Sequence, residues 1–211
     1  KRFEGFLADA DQILNARDRI AYGQFRGDAV YNFWQDETNV RGLLRRTSLE
    51  SYTAALAHGA ERRSAIEWET ILDVDALAKA EHENWVYKGS VCRAPEYTRC
   101  LLRLSRGGSD ASVYREFDIS KKAFVEDGFV IPQSKAGVSW VNEDTLLVGT
   151  NWGENTLTNS GYPRQTRLWK RGQALKDATL MYEGAAADVG VWPGSFDLQS
   201  DDESTPSVAH V

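Results

Sequence analysis

Quartets of short apolar segments recur along this sequence with a period of about 50 residues. The third segment of each quartet mixes apolar residues with Arg or Lys, and the fourth is brief and ends near an acidic residue or Gly. The second segments are the most apolar, and they read AVYNFWQ, CLLRLS and TLLVGT. Turn-forming residues such as Gly107-Gly108 and Asn142-Glu143-Asp144 separate the segments. Because aliphatic and aromatic residues are favoured on a pleated surface, each quartet is predicted to form four strands.

Four strands repeated at this period are typical of the blades of a β-propeller. The predicted fold is therefore all-β: a partial β-propeller of four-stranded antiparallel blades, preceded by an N-terminal α-helix. The predicted domains are the helix over 1–19, blades over 20–75, 84–132 and 137–184, and the start of a fourth blade with a polar tail over 185–211. A two-sheet sandwich is the main alternative, but a sandwich gives no reason for the repeat.

Helical periodicity is confined to two places. Apolar residues spaced by three and four predict the N-terminal helix, with a stripe of Phe3, Phe6, Leu7, Ala10, Ile13 and Leu14. A short helical turn is predicted over 74–83. The segment LLRRTSLESY, residues 43–52, is interpreted as a strand, and TAALAHGAERRSA, residues 53–65, as a polar loop.

Composition excludes some classes of function. The chain has 211 residues, of which 42% are hydrophobic, and a net charge of −6. An acidic protein is a poor partner for nucleic-acid phosphates, and no apolar run approaches the roughly 18 residues that a membrane span needs. Because propellers have about four to eight blades, three blades and a fragment do not close a ring. The chain is therefore expected to be a piece of a longer protein and to self-associate through an exposed blade face.

The two cysteines, Cys92 and Cys100, lie in VCRAPEYTRC. Their spacing fits no zinc pattern, and no His cluster lies nearby. If the segment is a hairpin centred on Glu96, the two side chains face each other and a disulfide is possible; two reduced thiols that pack together are the alternative. A disulfide would favour a periplasmic or secreted location over the cytoplasm.

Several ordered segments resemble one known family. YNFWQDETNVRGLLRRTSLESY, WETILDVDAL and NWVYKG resemble the start of the propeller in the prolyl oligopeptidase family of serine peptidases, as do VSWVNEDTLLVGTNWG and SGYPRQTRLWKRG. The resemblance covers roughly residues 1–195. It implies a full-length protein with an α/β-hydrolase domain whose Ser, Asp and His cleave oligopeptides after proline. The propeller would control access to that domain, which is the implied partner of this chain.

The chain departs from the family at the catalytic site, because it contains no G-x-S-x-G nucleophile elbow. The stretch Gly137-Val138-Ser139-Trp140-Val141 lacks the closing Gly. No catalytic residue is therefore assigned, no cofactor is expected, and the chain alone is predicted to be inactive. The three histidines are expected on the surface, where they lack the partners of a triad: His58, His82 and His210.

Two residues are candidates for binding. Trp152 lies in the loop segment NWGEN and could stack on a sugar or a peptide, whereas the other tryptophans are expected to pack between blades. Arg164 follows Tyr162-Pro163 and could contact the hydrolase domain or cap a turn. Acidic pairs such as Glu143-Asp144 are interpreted as turn residues, and no metal site is predicted.

Two functions from different classes remain open at this stage. The first is the propeller segment of a prolyl oligopeptidase-like serine peptidase, with an oligopeptide as the substrate of the full-length protein. The second is a non-enzymatic propeller that binds a protein or a glycan. A longer reading frame that contains G-x-S-x-G, then Asp, then His, would favour the first.

Overall fold

The computed structural model describes residues 2–14, 22–57, 66–196 and 208–210. The chain divides into two compact units, residues 1–85 and 86–211, which are described separately. Among the described residues, none of the helices combines the length and the apolar character that a bilayer crossing requires.

The described part of the first unit contains three α-helices and one sheet, and a short 3-10 helix, Leu175–Asp177, lies in the second unit. The elements of the first unit are α1 (Arg2–Leu14), β1 (Gln24–Arg26), β2 (Ala29–Trp34), β3 (Leu43–Ser48), α2 (Leu49–Ala57), β4 (Glu69–Asp73) and α3 (Val74–Glu81). Strands β1 to β4 pair antiparallel in chain order. The sequence predicted α1 and α3, and α3 begins at a defined cap because the Asp73 carboxylate accepts the N–H of Ala76 at 2.9 Å.

The prediction of a strand over 43–52 was wrong in its second half. The prediction of a polar loop over 53–65 was wrong over 53–57, and residues 58–65 lie outside the described residues. The strand β3 ends at Ser48, and α2 occupies 49–57. The Ser48 hydroxyl accepts the N–H of Ser51 at 3.1 Å, which is the hydrogen bond of a helix N-cap. The following LESYTAALA is rich in Leu, Glu and Ala, which are good helix formers.

The second unit contains the remaining strands. They are β5 (Trp85–Cys92, of which Trp85 is the last residue of the first unit), β6 (Arg99–Arg106), β7 (Ser112–Asp118), β8 (Ala123–Phe124), β9 (Val130–Ser134), β10 (Gly137–Asn142), β11 (Thr145–Gly149), β12 (Gln165–Lys170), β13 (Thr179–Glu183), β14 (Gly194–Phe196) and β15 (Val208–His210). Strands β5 to β8 form one sheet, in which β9 also pairs with β7, and β10 to β13 form the next. The predicted hairpin at Asn142-Glu143-Asp144 is confirmed, because Asn142 pairs with Thr145.

Burial is concentrated in the inner strands of this unit. Every residue of β11 is buried and β13 is exposed along its whole length, whereas in the preceding sheet the third strand, β7, is buried at six of seven positions and the second, β6, at five of eight. One apolar core joins the sheet of β5 to β9 to the sheet of β10 to β13. Its buried members are Leu101, Tyr114, Phe129, Ile131, Val138, Trp140, Leu146, Val148, Trp169 and Ala178. Consecutive antiparallel sheets of four strands, here with β9 as a fifth strand in the first of the two, that pack on each other in chain order are the arrangement of propeller blades.

Candidate functional site

A long loop between β11 and β12, residues 150–164, carries both predicted binding residues. It lies at the end of the sheet where β10 begins and β13 finishes, because Gly137 pairs with Gly149 and Gln165 pairs with Glu183. Hydrogen bonds hold the loop against the rest of the unit; for example, Thr158 Oγ1 donates to the carbonyl of Val189 at 3.1 Å. It is thus an ordered surface on one end of the β10–β13 sheet.

Trp152 is half-buried and held from several directions. Its indole Nε1 donates to the carbonyl of Gln165 at 3.3 Å, and the guanidinium of Arg167 lies 4.7 Å from its ring centre. Its backbone N–H donates to the Thr156 hydroxyl at 3.0 Å. The ring also packs against the core of the second unit. These contacts fix the position of Trp152, and its role in binding a sugar or a peptide stays a prediction.

Arg164 has all of its donor groups engaged within the chain. Nη2 lies 2.6 Å from a carboxylate oxygen of Glu183, Nε donates to the carbonyl of Asn155 at 2.7 Å, and Nη1 donates to that of Gly184 at 2.8 Å. These contacts fix the long loop to the end of β13. Arg164 and Trp152 thus lie on the same loop, and both hold it in place.

Aromatic residues that the sequence analysis did not select form the exposed part of this end. The rings of Tyr162 and Trp192 lie 5.8 Å apart, and Lys135 Nζ lies 4.5 Å from the Tyr162 ring centre. The Trp192 side chain is 55% exposed. Tyr162 is partly buried, so Trp192 is the exposed member of the pair. An exposed indole supported by a second ring and a nearby cation can contact an apolar or π-rich group of a partner. The sequence signal was weak: two aromatic-proline pairs, Tyr162-Pro163 and Trp192-Pro193.

A buried ion pair connects the two sheets of the second unit. Glu116 on β7 is fully buried, and Arg171, just after β12, donates to its two carboxylate oxygens at 2.9 and 3.1 Å. Arg171 also donates to Asp144 at 2.8 Å and lies 4.4 Å from the Phe129 ring centre. The hydrogen bonds that Arg171 donates to Glu116, and to a smaller extent to Asp144, raise the pKa of its guanidinium above the usual value. Because the raised pKa keeps the Arg171 guanidinium charged, this pair is suited to a rigid connection between the sheets and not to proton transfer.

The cysteines and histidines offer no evidence of catalysis in the described part of the chain. The structure joins Cys92 to Cys100 as a disulfide. His82 is exposed and ends α3, where its backbone N–H donates to the carbonyl of Ala78. The side chains of His58 and His210 lie outside the described residues. No group of three His, Cys, Asp or Glu side chains able to hold a metal ion occurs within 2–14, 22–57, 66–196 and 208–210.

An open cleft of about 440 Å³ lies in the first unit, where β2 begins and β3 ends. Its polar lining includes Asp28, Arg46, Ser48, Ser51, Glu67 and Glu69. Arg46 is engaged by Glu69, with 2.6 Å between Nε and the carboxylate. The carboxylates of this cleft can accept a cationic side chain from a partner. They are solvent-exposed, and their contacts among the described residues do not indicate a catalytic site.

Comparison with known proteins identifies the family. A family model described as the N-terminal beta-propeller domain of prolyl oligopeptidase matches residues 6–203. The chain belongs to the prolyl oligopeptidase family. The predicted family is thereby confirmed on a match that includes the blades and most of α1.

The relatives of this propeller are larger peptidases. An uncharacterized peptidase of Sinorhizobium fredii is 47% identical over 194 residues, which cover 92% of this chain and 26% of the relative. An uncharacterized peptidase of Rickettsia prowazekii is 32% identical over 192 residues, covering 87% of this chain and 25% of the relative. The chain thus spans about a quarter of the length of these curated relatives.

A solved structure has the same architecture. A post-proline cleaving enzyme from Rickettsia typhi superposes with a TM-score of 0.79 at 28% identity, covering 93% of this chain and 28% of that chain. The predicted fold class, a partial propeller of four-stranded antiparallel blades preceded by a helix, is confirmed by this match and by the sheets described above.

Proposed function

We propose that this chain is the propeller segment of a serine peptidase that hydrolyses peptide bonds after proline. The observation that carries the proposal is the similarity to the post-proline cleaving enzyme of Rickettsia typhi over 93% of the chain. In this proposal the catalytic Ser, Asp and His lie on an α/β-hydrolase domain of the full-length protein. The chain itself contributes none of them, in keeping with the lack of a G-x-S-x-G motif in its sequence.

The role of the propeller in this proposal is to control the access of oligopeptides to the hydrolase domain. A barrier of this kind must hold its shape, and two features support that requirement. The Glu116–Arg171 pair connects neighbouring sheets, and Arg164 fixes the long loop. The exposed Trp192, which packs on the partly buried Tyr162, gives this end a surface on which a peptide or the hydrolase domain can lie.

Turnover of a chromogenic Gly-Pro substrate tests the peptidase part of the proposal. We expect the full-length gene product to cleave the substrate after proline and the 211-residue chain to show none of this activity. A matched Gly-Ala substrate controls for the residue at the cleavage site. Inactivity of the full-length product, or equal cleavage of both substrates, would refute post-proline cleavage. Activity of the isolated chain would refute the assignment of catalysis to another domain.

Substrate size tests the role in access. We expect the full-length protein to cleave a proline-containing octapeptide and to leave a reduced, unfolded protein of more than about 100 residues intact. The hydrolase domain expressed alone, provided that it folds, should lose this discrimination. Equal discrimination by the full-length protein and by the folded hydrolase domain would show that the propeller does not control access.

Two further properties belong to this proposal. The apolar stripe of α1 is exposed, with Phe3, Phe6, Leu7 and Ile13 each more than half accessible. We expect the chain without its hydrolase domain to self-associate, and a monomer in sedimentation velocity at high concentration would contradict this.

The Cys92–Cys100 disulfide supports a periplasmic or secreted location, which cell fractionation tests.

A further inference from the structure

The guanidinium of Arg45, on β3 of the first unit, lies between two tryptophans. Its central carbon is 4.4 Å from the ring centre of Trp34 and 4.5 Å from that of Trp68. Nε donates to the side-chain carbonyl of Asn32 at 2.8 Å. Asn32 is buried and donates in turn to the carbonyl of Tyr22 at 3.0 Å, which fixes its orientation. Arg45 is therefore held in one position by two rings and one amide.

The outer edge of this guanidinium has no partner in the part of the chain that the structure describes. Among the described residues, Nη1 and Nη2 have neither a hydrogen-bond acceptor nor a carboxylate in salt-bridge distance, and neither atom is fully buried. The neighbouring Arg41 and Arg46 each have a carboxylate partner, Asp75 and Glu69. Arg45 thus differs from the arginines beside it, since it is positioned without being neutralised.

Asp36 is the charged group that faces Arg45, and it is already committed elsewhere. Its Oδ1 accepts the N–H groups of Thr38 and Asn39 at 2.9 and 2.7 Å and the Asn39 amide at 3.0 Å. Its Oδ2 accepts the indole N–H of Trp34 at 2.7 Å, which orients that ring. Burial lowers the pKa of Arg45 to about 10, and Asp36 offsets only part of this effect. An anion bound to Nη1 and Nη2 would reduce the free-energy cost of burying the positive charge of Arg45.

We propose that Trp34, Arg45 and Trp68 form a binding site for a carboxylate. The planar edge of a guanidinium matches the two oxygens of a carboxylate, and the two rings within 4.5 Å of its central carbon limit the directions from which a ligand can approach. The carboxylate can come from the C-terminus of a peptide or from an Asp or Glu side chain. The site stands on the geometry of the first unit and does not depend on cleavage after proline.

Titration of the 211-residue chain with three short peptides tests the site and separates the two sources. The probes are acetyl-Gly-Gly with a free carboxylate, acetyl-Gly-Gly-amide, and acetyl-Gly-Asp-Gly-amide, at constant ionic strength in chloride. The readout is the indole N–H signals of Trp34 and Trp68 in nitrogen-15 NMR spectra, assigned with Trp34→Phe and Trp68→Phe. We expect saturable shifts with one or both carboxylate peptides and none with the amide.

The matched variants are Arg45→Gln and Arg46→Gln. We expect Arg45→Gln to weaken carboxylate binding roughly tenfold or more, because a charge-assisted hydrogen bond is lost. Arg46→Gln, which changes the adjacent arginine that Glu69 engages, should retain the affinity. If circular dichroism shows that Arg45→Gln unfolds, Arg45→Lys replaces it, since Lys keeps the charge and loses the fork.

Three results would overturn the proposal. The first is a lack of saturable shifts with both carboxylate peptides, and the second is an equal response to the amide. The third is an unchanged affinity in the folded Arg45 variant. Saturation by acetyl-Gly-Gly alone would identify a peptide C-terminus as the ligand, whereas saturation by the Asp peptide alone would identify an acidic side chain.

Discussion

Arg171 donates two hydrogen bonds to the buried carboxylate of Glu116, which lies 55 residues earlier in the chain. The pair joins β7 to the end of β12, so it connects two consecutive sheets across their shared core. Glu116 also accepts the backbone N–H of Phe129 at 2.9 Å, and Arg99 lies 3.7 Å from its other oxygen. The buried charge is thus neutralised by groups from both sheets, which makes this contact sensitive to the loss of either partner.

Replacement of Glu116 by Gln is expected to lower the free energy of unfolding by about 3 kcal/mol. The change keeps the shape of the side chain but removes its negative charge. The half-buried cation Arg171 then lacks this counter-charge. The estimate is at the lower end of the usual range because the Arg171 side chain is 29% exposed. The change in the free energy of unfolding is measured by urea denaturation monitored by fluorescence. Glu143→Gln, in the exposed turn next to Asp144, is the control and should change stability by less than about 0.5 kcal/mol. Equal effects of both changes would show that the buried pair is not a stabilising contact.

Gly42 and Gly89 form a natural pair for testing steric crowding. Both have a left-handed backbone, with φ of +101° and +113°. A Cβ on Gly42 would lie 2.5 Å from Cζ of Phe33, whereas a Cβ on Gly89 would have no atom within 4 Å. Gly89→Ala should therefore cost about 1–2 kcal/mol for the backbone alone, and Gly42→Ala a further 1–3 kcal/mol or so for overpacking. Thermal unfolding of the two variants provides the comparison, and equal costs would contradict the crowding at Phe33.

Asp36 predicts a pH dependence of stability with a definite sign. Hydrogen bonds from the backbone N–H of Asn39 and from the Trp34 indole lower the pKa of Asp36 below its ordinary value of 3.8. A carboxyl group whose pKa is lower in the folded state than in the unfolded state stabilises the folded state at pH values above its unfolded-state pKa. This stabilisation is lost as the pH falls through the folded-state pKa. We expect the stability difference between wild type and Asp36→Asn to be full at pH 6 and to shrink below pH 3.8. Asp110→Asn controls for the removal of one surface carboxylate. A difference that stays constant from pH 6 to pH 3 would refute the assignment.

The strands were predictable from the sequence because their signal is local. Alternation and turn residues mark β10 and β11 on either side of Asn142-Glu143-Asp144 without reference to the rest of the chain. Helix α2 was missed because LLRRTS continues into LESYTAALA without a Gly or Pro to mark the boundary. The available signal was Ser48 as an N-cap ahead of several good helix formers.

The site residues were less predictable because their roles depend on distant partners. Trp152 was predicted as a binding residue from its place in a loop, but the sequence gives no sign of its contacts with Arg167 and with the carbonyl of Gln165. Glu116 reads as an outward-facing charge in SVYREFD, and its burial depends on Arg171, on Arg99 and on the N–H of Phe129, none of which the local pattern reveals. Pairings over such separations are set by the packing of sheets, which a local pattern does not encode.

Loss of the Cys92–Cys100 disulfide is expected to destabilise the second unit without altering its fold. The bond closes a short loop between β5 and β6, with a sequence separation of 8. In the chain-entropy model such a loop contributes roughly 2–3 kcal/mol, because the unfolded chain regains freedom when the bond is absent. The Cys92→Ser/Cys100→Ser double variant should therefore lower the free energy of unfolding by this amount and keep the far-ultraviolet spectrum. Wild-type protein in excess reductant should match the variant, and the variant itself should not respond to reductant. A wild type that is insensitive to reductant, with two free thiols by mass spectrometry after alkylation, would show that the cysteines are unpaired in solution.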